Sequence, residues 1–188
     1  ALAYESIREL EGKSQQSANE SQSDNSESAT DTAAPSLVEK FAGEIANGNM
    51  PKDNNALRKM VAVMDGKQPD AFRMKQAQED LEAAIVVAAR SKVAEGGSTR
   101  DTFNRLVDLY QSQPNLNIRT STSIANQAYS TPAPLAYVAA KLADITSSTH
   151  VFEPTAGNGM LLLTAAPHNA TANELDDQRF TNLQAQGF

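Results

Sequence analysis

Val151-Phe152-Glu153-Pro154-Thr155-Ala156-Gly157-Asn158-Gly159 is the stretch that decides the fold. A short apolar run ends in an acid, a proline and two glycines, the pattern of a buried strand running into a tight loop. Met160 to Ala165 then has the composition to open a helix. In open α/β sheets, ligands bind where such a loop leaves the C-terminal end of a parallel strand. Glycine tolerates unusual dihedrals and lets a ligand approach the main chain. The helix that follows offers free N–H groups and a partial positive charge.

Outward from the loop, Ala170-Thr171-Ala172-Asn173-Glu174 predicts a second strand and Asp177 the start of another helix. The expectation is therefore β-α-β-α, the beginning of a doubly wound α/β sheet. Glu174 follows Glu153 by 21 positions, the spacing at which an acid ending the second strand accepts hydrogen bonds from ribose hydroxyls. Dinucleotide sites use Gly-x-Gly-x-x-Gly, but Leu162 stands where the third glycine or alanine belongs. Glu153 is awkward beside a pyrophosphate and comfortable beside an ammonium or sulfonium. A zwitterionic cofactor suits these residues better than NAD, and a nicotinamide-binding domain is the weaker reading.

Upstream, residues 36–112 read as four helices. Ser36 caps the first, which carries Leu37, Val38, Phe41 and Ile45 and ends near Asn47-Gly48. Asp53 or Asn54 caps the second, with Leu57, Met60, Val61 and Met64, ending at Gly66. The third runs from about Ala71 to Ala94 with Met74, Ala77, Leu81, Ile85, Ala88 and Val93 on one face, and stops at Gly96-Gly97. Ser98 or Thr99 caps the fourth, with Phe103, Leu106, Val107 and Tyr110. A loop follows from Gln113 to Ser123. Proline then opens a fifth helix after Tyr129-Ser130-Thr131-Pro132, carrying Leu135, Val138, Ala139 and Leu142.

Composition bounds the function classes. The 188 residues contain no cysteine, which removes disulfide frameworks, thiolate nucleophiles and Cys-based zinc sites. No apolar run approaches the ~20 residues that span a bilayer, and no basic-then-apolar leader opens the chain. A cytoplasmic location is the expectation, and the initial Ala1 suggests that the natural start lies upstream. The net charge is −7, of which residues 1–35 carry −5. Residues 13–35 are Ser-, Gln- and acid-rich with no apolar side chain larger than alanine, so residues 1–35 are expected to be a disordered linker. The nearly neutral remainder has no broad basic face for nucleic acid. The basic side chains between Arg58 and Arg105 decorate solvated helix faces on this reading; Arg119 is the best candidate for a DNA phosphate contact. His150 and His168 read as loop residues, and Tyr129 by itself as a packing residue.

Together, Tyr129-Ser130-Thr131-Pro132, Phe152-Glu153-Pro154-Thr155-Ala156-Gly157-Asn158-Gly159 and Asn173-Glu174-Leu175-Asp176 resemble the opening of adenine-specific DNA methyltransferases. More narrowly, the run from Ile118-Arg119-Thr120-Ser121 through Leu135-Ala136-Tyr137 resembles phage and plasmid antirestriction proteins, in which a methyltransferase domain is joined to a strawberry-notch-type helicase. The resemblance covers about residues 113–188. It implies S-adenosylmethionine as cofactor and DNA as partner. It implies that Thr131 and its neighbours Tyr129 and Pro132 hold the methionine end. Glu153, Pro154, Ala156, Gly157 and Gly159 line that end, and Glu174 with Leu175 holds the ribose.

One feature departs from the family. Its catalytic tetrapeptide, Asn/Asp/Ser-Pro-Pro-aromatic, does not occur in this sequence. The residues that would hold a flipped adenine are therefore missing. The expectation is an N-terminal fragment: a linker over 1–35, a helical domain over 36–127 and a truncated Rossmann-like methyltransferase start over 128–188. Such a fragment is expected to show no methylation and weak or absent cofactor binding. Two strands alone leave open edges, so the C-terminal part should lie against the helices, pair with another chain as a homo-oligomer, or swap. The alternative is a non-catalytic helical interaction module with a vestigial nucleotide-binding loop.

Overall fold

Five of the six described α-helices begin where a side chain accepts their orphan N–H groups. The computed structural model describes residues 36–114 and 130–188. Helix α1, Leu37–Ala46, starts at a capping box in which Ser36 Oγ accepts from Glu39 N–H (3.2 Å) and Glu39 Oε2 accepts from Ser36 N–H (2.7 Å). Asp53 caps α2, Asn54–Asp65, which ends at Gly66 with φ +68°. Asp70 caps α3, Ala71–Ala94. A second capping box, Ser98 with Asp101, opens α4, Thr99–Ser112. Helix α5, Ala133–Leu142, starts at Pro132 with no side-chain cap. Strand β1, Val151–Glu153, pairs in parallel with β2, Ala170–Ala172, in the register Val151↔Ala170. Asp176 caps the last helix, α6, Asp177–Ala185. The described fold is α/β with helices dominating and one two-stranded parallel sheet.

Helix α3 is the axis of the described fold. Met74, Ala77, Leu81 and Ile85 are buried as its periodicity predicts, but Ala83, Ala84, Val86 and Ala89 are buried too. The reason is position: α1, α2, α4 and α6 all pack against it, so it is covered on several sides. Arg73 clamps α3 to the end of α2 through Asp65 (2.7 and 2.9 Å), and Arg58 donates to the Pro69 carbonyl (2.6 Å).

Four expectations are corrected. No α-helix forms over Met160–Ala165. A 3-10 turn covers Met160–Leu162, and a second one, Pro167–Asn169, leads into β2. The segment must serve two cores at once: Met160 and Leu163 join the helical core, while Leu162 faces the sheet with Ala156, Ala165 and Leu183. A tight irregular path divides the side chains in this way, and Gly159 at φ +93° and Pro167 leave no length for a helix. Arg90 of α3 donates to the Leu162 and Ala165 carbonyls (2.9 and 3.2 Å) and satisfies acceptors that an α-helix would have paired internally.

The inner face of α5 is Ala133, Ala136, Tyr137 and Ala140. Leu135, Val138 and Leu142 point outward, Leu142 with 82% of its surface exposed. Small residues let α5 approach α4 closely, and the stripe of larger residues is left outside. In α4 the buried residues are Thr102, Leu106 and Leu109, whereas Tyr110 is half-exposed. Finally, β1 is not buried on both faces: Val151 lies against the sheet-side core, but Phe152 is 69% exposed, because two strands cover only one face.

The described residues pack as one compact unit, and the helical core includes Met160 and Leu163 from beyond the glycine loop. The C-terminal segment lies against α3 of its own chain. Residues 1–35, the boundary placed at 127/128, and Arg119 and Tyr129 lie outside the described residues. No helix among the described residues is long and apolar enough to cross a membrane.

Two measurements check this packing. Leu81→Ala removes a fully buried side chain and is expected to cost ~2–5 kcal/mol in urea unfolding. Val63→Ala, at a position 84% exposed, should stay within ~0.5 kcal/mol. The Arg73 hydrogen bond holds the Asp65 carboxyl below its ordinary range. The ion pair therefore adds stability above the ordinary carboxylate pKa and loses it as pH falls through the lowered value. Asp65→Asn should destabilise by up to ~1 kcal/mol at pH 7, and the difference from wild type should vanish in strong acid.

Candidate functional site

The glycine loop is built by exchanging hydrogen bonds with the end of β2. Asn173 N–H donates to the Glu153 carbonyl and Ala156 N–H to the Asn173 carbonyl, both at 2.9 Å, so the ladder continues past the strands. The Asn173 amide donates to the Pro154 carbonyl (3.0 Å). The Glu153 carboxylate turns back onto its own loop, accepting from Thr155 N–H (3.0 Å) and Thr155 Oγ1 (3.2 Å). Glu174 reaches across from β2: its Oε2 accepts from Gly157 N–H (2.7 Å) and its Oε1 from Leu175 and Asp176 N–H (2.9 Å each). Three backbone donors on one carboxylate make a charge-assisted latch between loop and strand.

The loop backbone needs its glycines for different reasons. Gly157 has φ +56°, and a Cβ there would meet nothing closer than Arg179 Nη1 at 3.9 Å. Gly159 has φ +93°, and a Cβ would lie 3.1 Å from Leu183 Cδ2. Asn158 between them is buried; its Oδ1 accepts from Asn182 Nδ2 (3.1 Å) and its carbonyl from Gln186 (3.0 Å). Asn158 Nδ2 is buried without a partner among the described residues.

Against this loop lies a pocket of about 200 Å³. Thr131 and Pro132 form one side, Ala156 and Gly157 another, and Glu82, from the middle of α3, faces them. The pocket thus unites four of the predicted cofactor residues. Glu153, Pro154, Gly159, Glu174 and Leu175 are not on its wall. Glu153 and Glu174 hold the loop by the bonds just described, Gly159 is packed beneath it, and Leu175 is 80% exposed. His150 and His168 are both exposed and neither lines the pocket.

Sequence reasoning missed the charged groups that the helices contribute. Arg179 of α6 is almost wholly buried and pairs with Glu79 of α3 through two nitrogens (2.7 and 3.3 Å); its Nη2 lies 3.5 Å from Glu82. Burial acts most strongly and would lower the Arg179 pKa, but the Glu79 hydrogen bond and the charges of Glu79, Glu82 and Glu174 together raise it. Gln178 of α6 donates to the Asp80 carboxylate (2.8 Å) and the Gln76 carbonyl (2.9 Å). Half-buried Glu82 also accepts a hydrogen bond from Ser130, just before Thr131. Burial raises the pKa of Glu82; Ser130 and Arg179 oppose the rise and Glu79 adds to it. The signal for this cluster in the sequence is an acid at the centre of an otherwise buried helical stretch, Leu81-Glu82-Ala83-Ala84.

No protein-family model, curated protein or solved structure matches the chain.

The two glycines should separate experimentally. Gly159→Ala combines backbone strain with a contact against Leu183 and is expected to cost ~2–3 kcal/mol; Gly157→Ala meets strain alone and should cost ~1 kcal/mol. Equal losses in denaturant unfolding would mean that the Leu183 contact is absent.

Proposed function

We propose that this chain is the cofactor-binding part of an S-adenosylmethionine-dependent methyltransferase acting on adenine in DNA, with the two strands as the start of a Rossmann-like sheet. The observation that carries the reading is the meeting of Thr131-Pro132 with Ala156-Gly157 across one pocket. Segments 24 positions apart in sequence, Pro132 to Ala156, converge on the site that the resemblance assigns to the methionine end of the cofactor. Glu174, at the end of β2, is the residue for the ribose hydroxyls, with Leu175 beside it. Bound there, the cofactor supplies an activated methyl group. This chain's residues bind and orient it, and positioning is the larger part of what such a transfer requires.

The fit excludes a dinucleotide better than it excludes a nucleoside. Leu162, at the position of the third glycine, is buried in the sheet-side core, and among the described residues no Lys, Arg or His lines the pocket to meet a pyrophosphate. The catalytic tetrapeptide is absent from these residues, so base methylation is assigned to the polypeptide that carries them. An Asn/Asp/Ser-Pro-Pro-aromatic motif is expected within ~100 residues downstream, about one domain's worth of chain.

The pocket volume favours a second reading. About 200 Å³ falls short of the ~300 Å³ at which drug-sized ligand sites begin, as a vestigial loop on a helical interaction module would. Saturation-transfer NMR separates the two. S-adenosylmethionine should receive saturation from the protein, with Kd on the order of 1 mM, and NAD should not. Silence from S-adenosylmethionine, or equal transfer to NAD, overturns the cofactor reading.

A further inference from the structure

The pocket is anionic, and its charge comes from a helix that the cofactor motifs do not include. Among the described residues its wall holds one carboxylate, Glu82, and one aromatic ring, Tyr110, with no basic side chain. Behind the wall, Arg179 faces two carboxylates, Glu79 at 2.7 Å and Glu82 at 3.5 Å. One positive charge against two negative ones leaves this group at −1. The closer, bidentate partner is Glu79, so the unbalanced charge resides on Glu82, at the pocket surface. Among the described residues no three His, Asp or Glu side chains are grouped to hold a metal ion. The charge therefore suits an organic cation, which the Tyr110 ring also favours.

A second observation points to what accompanies that cation. Asn158 also lines the pocket, is 6% exposed, and leaves Nδ2 without a partner among the described residues. Asn182 Nδ2 donates to Asn158 Oδ1, which leaves Nδ2 as the free donor of the amide. A buried amide donor without a partner costs free energy that a ligand acceptor would restore once the side chain turns toward it. An anionic acceptor on one wall and an orphan donor on the loop match an ammonium next to a carboxylate, the head group of an α-amino acid.

We propose that Glu82 is the counter-charge for the α-ammonium of the ligand's amino-acid end, with Asn158 Nδ2 the donor to its carboxylate. This rests on the cofactor reading above and adds to it a specificity residue from α3. Glu82 also explains why Ser130 precedes Thr131: the Ser130 hydroxyl holds the carboxylate beside the Thr-Pro turn.

The test titrates three adenosyl compounds into wild type and Glu82→Gln, followed by ligand-observed NMR. S-adenosylmethionine carries ammonium and sulfonium, S-adenosylhomocysteine the ammonium alone, and methylthioadenosine neither. Wild type should bind the first two at least ten-fold more tightly than the third. Glu82→Gln should erase that preference and leave methylthioadenosine unchanged. Loss of S-adenosylmethionine binding alone in the variant would overturn the ammonium assignment, placing Glu82 at the sulfonium. Unchanged binding of both charged compounds would overturn the role of Glu82 and leave the cofactor reading standing. Failure of all three to bind wild type would overturn both. The melting temperature of Glu82→Gln, expected within a few degrees of wild type, shows that the variant is folded. If it is not, Ser130→Ala, which frees the carboxylate without removing it, must weaken both charged compounds, and no change there overturns the proposal.

Discussion

The buried ion pair between Arg179 and Glu79 is the constraint on which the architecture turns. It joins the last helix to the central one across 100 positions of sequence. Its guanidinium also passes beside Gly157, on the floor of the glycine loop. Removing one partner of such a pair leaves a charge stranded in the interior, a loss of ~3–5 kcal/mol in comparable sites. The remaining contacts of α6, Gln178 on Asp80 and Asn182 on Asn158, follow from the placement that Arg179 imposes.

A small sheet becomes tenable through this arrangement. Two parallel strands are marginal alone, and here the helices supply what missing strands would. Leu162 and Leu183 cover one face, Arg90 satisfies the carbonyls of the irregular crossover, and Phe188 stacks against the Arg90 guanidinium at 4.9 Å. The second face remains open at Phe152. The glycine loop is therefore held by side chains from α3 and α6 as much as by the sheet, and its pocket has a helical wall.

How far the sequence foretold this depends on the range of the interactions. Caps act over three residues, so Ser36, Asp53, Ser98 and Gly66 marked their helix ends correctly. The parallel pairing of Val151–Glu153 with Ala170–Ala172 was legible from the short apolar run that enters the glycine loop and from the second strand-like stretch after it. The stretch Met160–Ala165 was not, because its path is set by two cores that compete for alternate leucines and by Arg90, some seventy residues earlier. Helix α5 carries two apolar faces, and periodicity alone cannot rank small alanines that permit close packing above larger leucines. Within the site, Thr131, Pro132, Ala156 and Gly157 were readable as local motifs. Glu82 and Arg179 were not, since their roles exist only once α3, α6 and the loop meet.

The central claim is that the Thr-Pro turn, the glycine loop and the middle of α3 form one ligand site. Amide chemical-shift mapping with S-adenosylmethionine tests it most directly. The account predicts shifts concentrated at Thr131, Ala156, Gly157, Asn158 and the residues around Glu82. Shifts confined to another part of the surface, or none at millimolar ligand, would contradict it.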